Sequence, residues 1–224
     1  MKKPGILYVI ATPIGNLEDI TLRAIKILQE VDLCLSEDTR KTKILLARYK
    51  IEVPLLSLHQ YTKPEKIERI IAQLEEGKKM ALLSEAGTPG ISDPGNQFIE
   101  AVVKRGLIRI VPIPGPCAAI AALSVSGFPS ERFCFLGFLP KKKGRQKIIS
   151  ALPQGTIVFY ESPYRIIKTL KEIEQKIGDQ EIVVCREMTK RFEEIYRGKI
   201  SAIISQIKPK GEFTIVMQRK DERH

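Results

Sequence analysis

Short runs of β-branched and aliphatic residues alternate along the chain with longer segments whose apolar positions recur every three or four residues. These periods mark strands and amphipathic helices respectively. Strands are predicted at Ile6–Ala11, Leu33–Ser36, Lys79–Ser84, Ile108–Ile113, Phe133–Phe138, Thr156–Tyr160, Glu181–Arg186 and Phe213–Gln218, with Glu193–Lys199 as a further one. Between them, Thr62-Lys63-Pro64-Glu65 has the spacing of a capping box, Ile67, Ile70, Ile71 and Leu74 form one helical stripe, and Gly77 stops it. Ser162-Pro163 reads as an N-cap with proline at the first helical position, followed by Ile166, Leu170, Ile173 and Ile177 up to Gly178. Pro116–Gly127 is small and apolar, as in a tightly packed helix. The alternation is that of an α/β protein built on largely parallel sheets, and the added strand makes the second sheet mixed. Gly127-Phe128-Pro129-Ser130 has turn chemistry and separates two such runs, which places domains at 1–127 and 128–224.

Composition supports that division: 224 residues with 43% hydrophobic and 28% charged side chains can bury two modest cores. Lys and Arg number 37 against 26 Asp and Glu, a balance of 37 − 26 = +11 that points to a polyanionic partner. No apolar run approaches the ~20 residues of a membrane span, and the Met-Lys-Lys-Pro start leads into a strand, so a cytoplasmic protein without a membrane partner is expected. Cys34, Cys117, Cys134 and Cys185 are far apart, and the histidines are His59 and His224. That inventory argues against a metal site and against Cys-His or Ser-His catalysis, and it reads the thiols as small buried apolar groups. Cys117 alone adjoins a Pro/Gly loop.

Glycine and proline gather where strands end, in Thr12-Pro13-Ile14-Gly15-Asn16, Ala86–Gly95 and Pro112–Pro116. Ligands of open α/β sheets bind outside the carboxyl ends of the strands, and rigid Gly/Pro loops let them approach the backbone, so three such loops predict a preformed pocket. Neither GxxxxGK[ST] nor GxGxxG occurs, so a grip through phosphates is not expected. Asp93, ahead of Pro94 at an expected helix start, reads as an N-cap in preference to a chemical role.

Acids and arginines cluster at other strand ends, in Ser36–Arg40, Tyr160–Arg165 and Arg186–Lys190. Thr39 is expected to cap the following helix and Glu161 to pair with Arg165 one turn on; a polar site is the other reading. Pro140–Lys147 holds five cations and no acid, an ordinary solvated loop or a clamp for a nucleic-acid backbone. Aromatic residues make up only 6% and Trp is missing, so base stacking is not expected to dominate recognition.

Seven strings carry a resemblance across nearly the whole chain: TPIGNLEDIT at 12–21, SEDTR at 36–40, LSEAGTPGISDPG at 83–95, PIPGPCAAIAAL at 112–123, GFPSERFCFLGFLP at 127–140, FYESPYR at 159–165 and REMTKRFEE at 186–194. In order and spacing the sequence resembles the tetrapyrrole (corrin/porphyrin) methylase superfamily, and within it the branch that methylates ribosomal RNA. The resemblance implies two α/β domains of the tetrapyrrole methylase type, S-adenosylmethionine in the interdomain cleft, and a homodimer. It implies methyl transfer to the ribose 2′-hydroxyl of a cytidine in the decoding region of small-subunit (16S) ribosomal RNA.

Carried over position by position, it implies cofactor contacts at Pro13 and Gly15, at Ser84, Glu85, Gly87, Thr88 and Ile91, and at Gly115, Ala118 and Ala119. Further contacts are implied at Tyr160, Met188, Gly211, Glu212, Phe213 and Thr214. Glu85 stands where relatives more often have Asp, which keeps the charge and lengthens its reach. The chain ends soon after its last strand, where longer relatives carry a helical extension, so RNA contacts are expected from other surfaces.

Methyl transfer to a hydroxyl needs in-line alignment, and a base that removes the proton helps. Glu37, Asp38 or Glu161 is expected to serve, with Arg40 and Arg165 orienting adjoining phosphates, and Lys141, Lys142, Lys143, Arg145 and Lys147 binding RNA. Two other functions fit parts of the pattern: methylation of a tetrapyrrole carbon with the same cofactor, and a non-catalytic RNA-binding module, which has no need of three Gly/Pro loops.

Overall fold

The computed structural model describes residues 3–93, 95–142 and 144–220; Pro94, Lys143 of the basic loop, and His224 lie outside the described residues. The chain divides into two compact units, Met1–Cys117 and Ala118–His224.

In the first unit, β1 (Ile6–Ile10), β2 (Leu33–Ser36), β3 (Leu55–Ser57), β4 (Lys79–Leu83) and β5 (Arg109–Ile113) form one sheet in the order β3-β2-β4-β1-β5. Every pairing is parallel, so all five carboxyl ends lie on one edge. Side chains alternate across it. Ile10, Cys34, Ala81 and Leu83 pack on α1 (Leu22–Glu30) and α2 (Thr39–Arg48), while Leu7, Leu35, Met80 and Leu82 pack on α3 (Pro64–Glu75) and α4 (Asn96–Arg105). Burial on both faces explains why these strands read as continuous apolar runs.

The second unit places β6 (Phe133–Phe138), β7 (Gly155–Glu161), β8 (Glu181–Arg186), β9 (Glu194–Lys199) and β10 (Phe213–Arg219) in the order β6-β7-β10-β8-β9. The sheet is mixed, as expected: β6 and β7 are parallel and the other pairs antiparallel. Ile157, Phe159, Val184 and Ile215 face α6 (Arg145–Ser150), α7 (Ile166–Ile177) and α8 (Ile200–Ile203). The other face, to which Tyr160 points, meets α5 (Ala118–Ser124), whose Ala119 N–H donates to the Tyr160 hydroxyl at 3.2 Å. Because α5 packs on β7 and β10, the chain divides ahead of that helix and not at the Gly127 turn read from the sequence.

Local differences from the sequence reading have physical causes. Strand β3 has only three half-buried residues, too few for a period to show. Helix α3 starts at Pro64 with Lys63 as its N-cap, one residue later than a Thr62 capping box would begin it, and Thr62 Oγ1 instead accepts from His59 N–H at 2.9 Å, so no capping box forms. Asp38, not Thr39, caps α2 by accepting from Arg40 N–H. Ser162 and Pro163 open a turn, and α7 begins at Ile166 with Ser162 C=O accepting from its N–H at 3.0 Å. The N-cap of α4 is Gly95 at φ 124°, which leaves the Asp93 carboxylate uncommitted to capping. No described helix is long and apolar enough to cross a membrane.

Candidate active site

Strands β1 and β4 are neighbours whose chains leave in opposite senses: α1, which follows β1, lies on one face of the sheet and α4, which follows β4, on the other. Such a divergence opens a crevice at the carboxyl edge. The loops on either side are tied together. Thr12 and Gly87 exchange backbone hydrogen bonds at 2.9 and 3.0 Å, and Ser84 Oγ donates to Gly87 C=O at 2.6 Å. Gly87 has φ +82°, a conformation that favours glycine, and Thr88 Oγ1 donates to Pro116 C=O at 3.1 Å, joining the third loop to the second. A Cβ on Gly115 would stand 3.0 Å from the Ala11 methyl group. The three Gly/Pro loops therefore form one braced rim, on which Gly15, Glu85, Ile91 and Gly115 are exposed while Pro13 and Ser84 are buried beneath.

The acids at this edge are not equivalent. Arg40 binds Asp38 through its side chain at 2.8 and 3.0 Å and through its N–H at 2.9 Å, which holds the Asp38 carboxyl down at about 2. Asp38 is thus a cap and an ion-pair partner, ill suited to taking a proton near neutrality. Glu37 is exposed, and Glu85 pairs with Lys41 of α2. Asp93 behaves oppositely: burial first, then the charges of Glu37 and Glu85, push its carboxyl up to about 6. It lines a cleft of about 370 Å³ with His59, Gln60, Ser92, Asn96 and Gln97, floored by Leu58 and Phe98. Ser92 lies at φ +55°, strain that a non-glycine residue keeps only where its surroundings enforce it. Asp93 is the functional candidate that the sequence reading assigned to capping. The only signal was its place in a loop with two nearby glycines.

Glu161, the third candidate base, is sealed in the second unit with 1% exposure. Its Oε1 accepts from Ser162 N–H at 2.7 Å and pairs with Arg165 at 2.6 Å; its Oε2 accepts from the Thr169 hydroxyl at 2.6 Å. The pairing with Arg165 is the expected one. Arg145 was assigned to RNA and is instead buried. It binds Glu172 at 2.7 Å, the Thr169 hydroxyl at 2.6 Å and Pro140 C=O at 2.9 Å, with Glu161 at 3.8 Å. Arg165 also donates to Leu139 C=O at 3.1 Å. An acid with both oxygens so engaged holds structure together, and the two arginines fasten the end of β6 that launches the basic loop. Lys141, Lys142 and Lys147 of that loop are exposed.

The remaining cofactor candidates of this unit gather around β10 and the turn after β8. Glu187 and Thr189 flank Met188 at φ 51° and 64°. Lys190 bridges Glu187 at 3.0 Å and Glu212 at 2.9 Å, and Glu212 N–H donates to Glu187 at 2.9 Å. Burial works against the Glu187 charge, but Glu212 N–H and Lys190 outweigh it and hold the carboxyl below its usual value. Gly211 touches Glu187 so closely that a Cβ would lie 2.6 Å from it. Phe213 and Thr214 are paired on both sides within the sheet, and the Phe213 ring belongs to the core.

The sequence and the fold both have counterparts among known proteins. The family model of the tetrapyrrole (corrin/porphyrin) methylases matches residues 6–204. A ribosomal RNA small subunit methyltransferase I from Thermotoga maritima is 48% identical over 222 residues, spanning 97% of this chain and 100% of the relative. The protein of that name from Escherichia coli O157:H7 is 45% identical over 96% of this chain and 78% of its own length. Among solved structures, a cobalt precorrin-4 methyltransferase covers 95% of this chain and 94% of its own with a TM-score of 0.67 at 20% identity. A diphthine synthase covers 96% and 90% with a TM-score of 0.75 at 13% identity, and both show the same fold. The chain belongs to the tetrapyrrole (corrin/porphyrin) methylase family.

Proposed function

We propose that this chain transfers the methyl group of S-adenosylmethionine to the ribose 2′-hydroxyl of a cytidine in the decoding region of small-subunit ribosomal RNA, acting as a homodimer. The observation that carries the reading is likeness over almost the whole chain, at 48% and 45% identity, to proteins named as ribosomal RNA small subunit methyltransferases. Tetrapyrrole enzymes share the fold at 20% identity, which supports no claim on substrate.

The residues present fit such a cofactor. It is a nucleoside without phosphates, and the rim offers small side chains and approachable backbone at Gly15 and Gly115, with no phosphate-cradling motif. Pro13, Gly15, Ser84, Glu85, Gly87, Thr88, Ile91, Gly115, Ala118 and Ala119 are the proposed contacts, together with Tyr160, Met188, Gly211, Glu212, Phe213 and Thr214. When bound, the cofactor supplies an electrophilic methyl group. Asp93 is the best placed group to take the hydroxyl proton: it opens on the cleft, and a base works best with a pKa near the operating pH. Glu37 raises that pKa by its charge and stands as the alternative acceptor. Arg40, paired with Asp38 but with its side chain mostly in water, orients a neighbouring phosphate, whereas Arg165 is committed to buried Glu161 and to Leu139. Lys141, Lys142 and Lys147 bind the RNA backbone.

Calorimetry with S-adenosylmethionine, followed by transfer of a labelled methyl group to small subunits, naked ribosomal RNA or a tetrapyrrole precursor, tests the reading. Label in ribosomal RNA is expected. Label confined to the tetrapyrrole overturns the substrate, and no cofactor binding overturns the reaction.

A further inference from the structure

The positive charge of the first unit is unevenly placed. Helices α3 and α4, on one face of the sheet, carry Glu65, Glu68, Glu75 and Glu100 against Lys66, Arg69, Lys104 and Arg105, a balanced set. Several pair with each other: Arg105 with Glu68 and, at 3.9 Å, with Glu75, and Lys104 with Glu100 at 2.6 Å. Helix α2, on the opposite face, carries Arg40, Lys41, Lys43 and Arg48 and no acid, and Lys50 follows directly.

Spacing turns that composition into a surface. Residues 40, 43, 44, 47 and 48 fall on one side of a helix, and all are exposed, while Thr42, Leu45 and Leu46 are buried beneath. Ile44 is 64% exposed amid the cations. The Arg40 side chain is 88% exposed. Arg48 lies 3.7 Å from Glu18, both side chains being mostly in water. Exposed pairs of this kind hold little free energy and exchange readily for a phosphate. From Arg40 to Arg48 the helix rises about 12 Å, room for ~2–3 phosphates of one strand. The helix also starts at the site. Its cap is Asp38, next to Glu37, and Lys41 of its first turn pairs with Glu85 on the rim.

We propose that the exposed face of α2, through Arg40, Lys43 and Arg48, is a docking surface for the RNA backbone that leads the target nucleotide to the carboxyl edge. This rests on the ribosomal RNA reading above and adds a footprint that the basic loop after β6 does not contain. The occupant is RNA because the helix carries four cations and no acid, its nearest acids Asp38, Glu85 and Glu18 standing outside it in at least partly solvated pairs, whereas helices α3 and α4 are balanced.

The test compares the intact protein with Lys43→Gln/Arg48→Gln and with the charge reversal Lys43→Glu/Arg48→Glu. Binding to small-subunit ribosomal RNA is measured across a salt series, together with S-adenosylmethionine affinity, melting temperature and sedimentation. Loss of two phosphate contacts flattens the slope of log K against log salt by about 1.4 for single-stranded RNA, and the reversal weakens binding further. Cofactor affinity and melting temperature stay unchanged. An unchanged salt slope overturns the proposal. An unchanged slope with altered sedimentation also overturns it and gives the face to a second copy of the chain. If the unaltered protein neither binds nor methylates ribosomal RNA, the functional reading itself fails, an outcome separable from the others because it needs no variant.

Discussion

Asp93 and Glu161 show how one side-chain type takes opposite tasks from its surroundings. Asp93 lines a cleft and is held near 6 by burial and by two neighbouring acids, so it is ionised at neutral pH and poorly so below that value. Methyl transfer is therefore expected to rise with pH through about 6 and level off, and Asp93→Asn should lower the single-turnover rate by ~100-fold or more while removing that inflection. Stability should move the other way. A carboxyl whose pKa is raised on folding costs stability above its folded value and nothing below its unfolded one, so Asp93→Asn should melt higher than the parent at pH 8 and equally at pH 3.

Glu161 answers to three donors and to the Arg145 charge at 3.8 Å, and Glu161→Gln is expected to cost about 3–5 kcal/mol of stability in denaturant titration, the penalty for stripping a buried ion pair of one partner. A rate lost at unchanged stability would restore it as a base. The i,i+4 spacing made the Glu161–Arg165 pair legible in the sequence, but not that it is sealed away or that Asp93 lines a cleft: as a string, Glu161 and Asp38 look as reactive as Asp93, and burial and the direction of neighbouring charges separate them.

At the scale of elements, legibility followed length and period. The stripes of α3 and α7 and nine strands stand where the apolar pattern places them. Strand β3 escaped because three residues show no period, and the caps escaped because Thr62, Ser162 and Asp93 each found a different local partner or none. The boundary shifted because small apolar residues fit α5 to β7 and β10, a tertiary fact that turn chemistry does not report. The Gly/Pro loops were recognisable, but their bracing to one another was not. That bracing has a consequence for Gly87, whose φ of +82° is costly for other residues. Gly87→Ala should lose about 1–2 kcal/mol by chemical denaturation and weaken S-adenosylmethionine binding, since the Thr12 bridge must shift. Unchanged affinity would separate the bridge from the cofactor rim.

For the whole molecule, an excess of +11 spoke only of some polyanion, and the structure distributes it. Arg145 is withdrawn into a buried network, Lys141, Lys142 and Lys147 stay exposed, and α2 adds a cationic face that no motif announced. Lys141→Ala/Lys142→Ala/Lys147→Ala should flatten the salt dependence of RNA binding by ~2 in slope and leave cofactor affinity intact. Unchanged RNA affinity would move that footprint elsewhere. Small subunits lacking the modification are incubated with the protein and labelled S-adenosylmethionine, and the ribosomal RNA is digested to nucleosides and resolved by mass. Recovery of the label as 2′-O-methylcytidine from one decoding-region position is the expected result; label on a base, or on no RNA nucleoside at all, would contradict it.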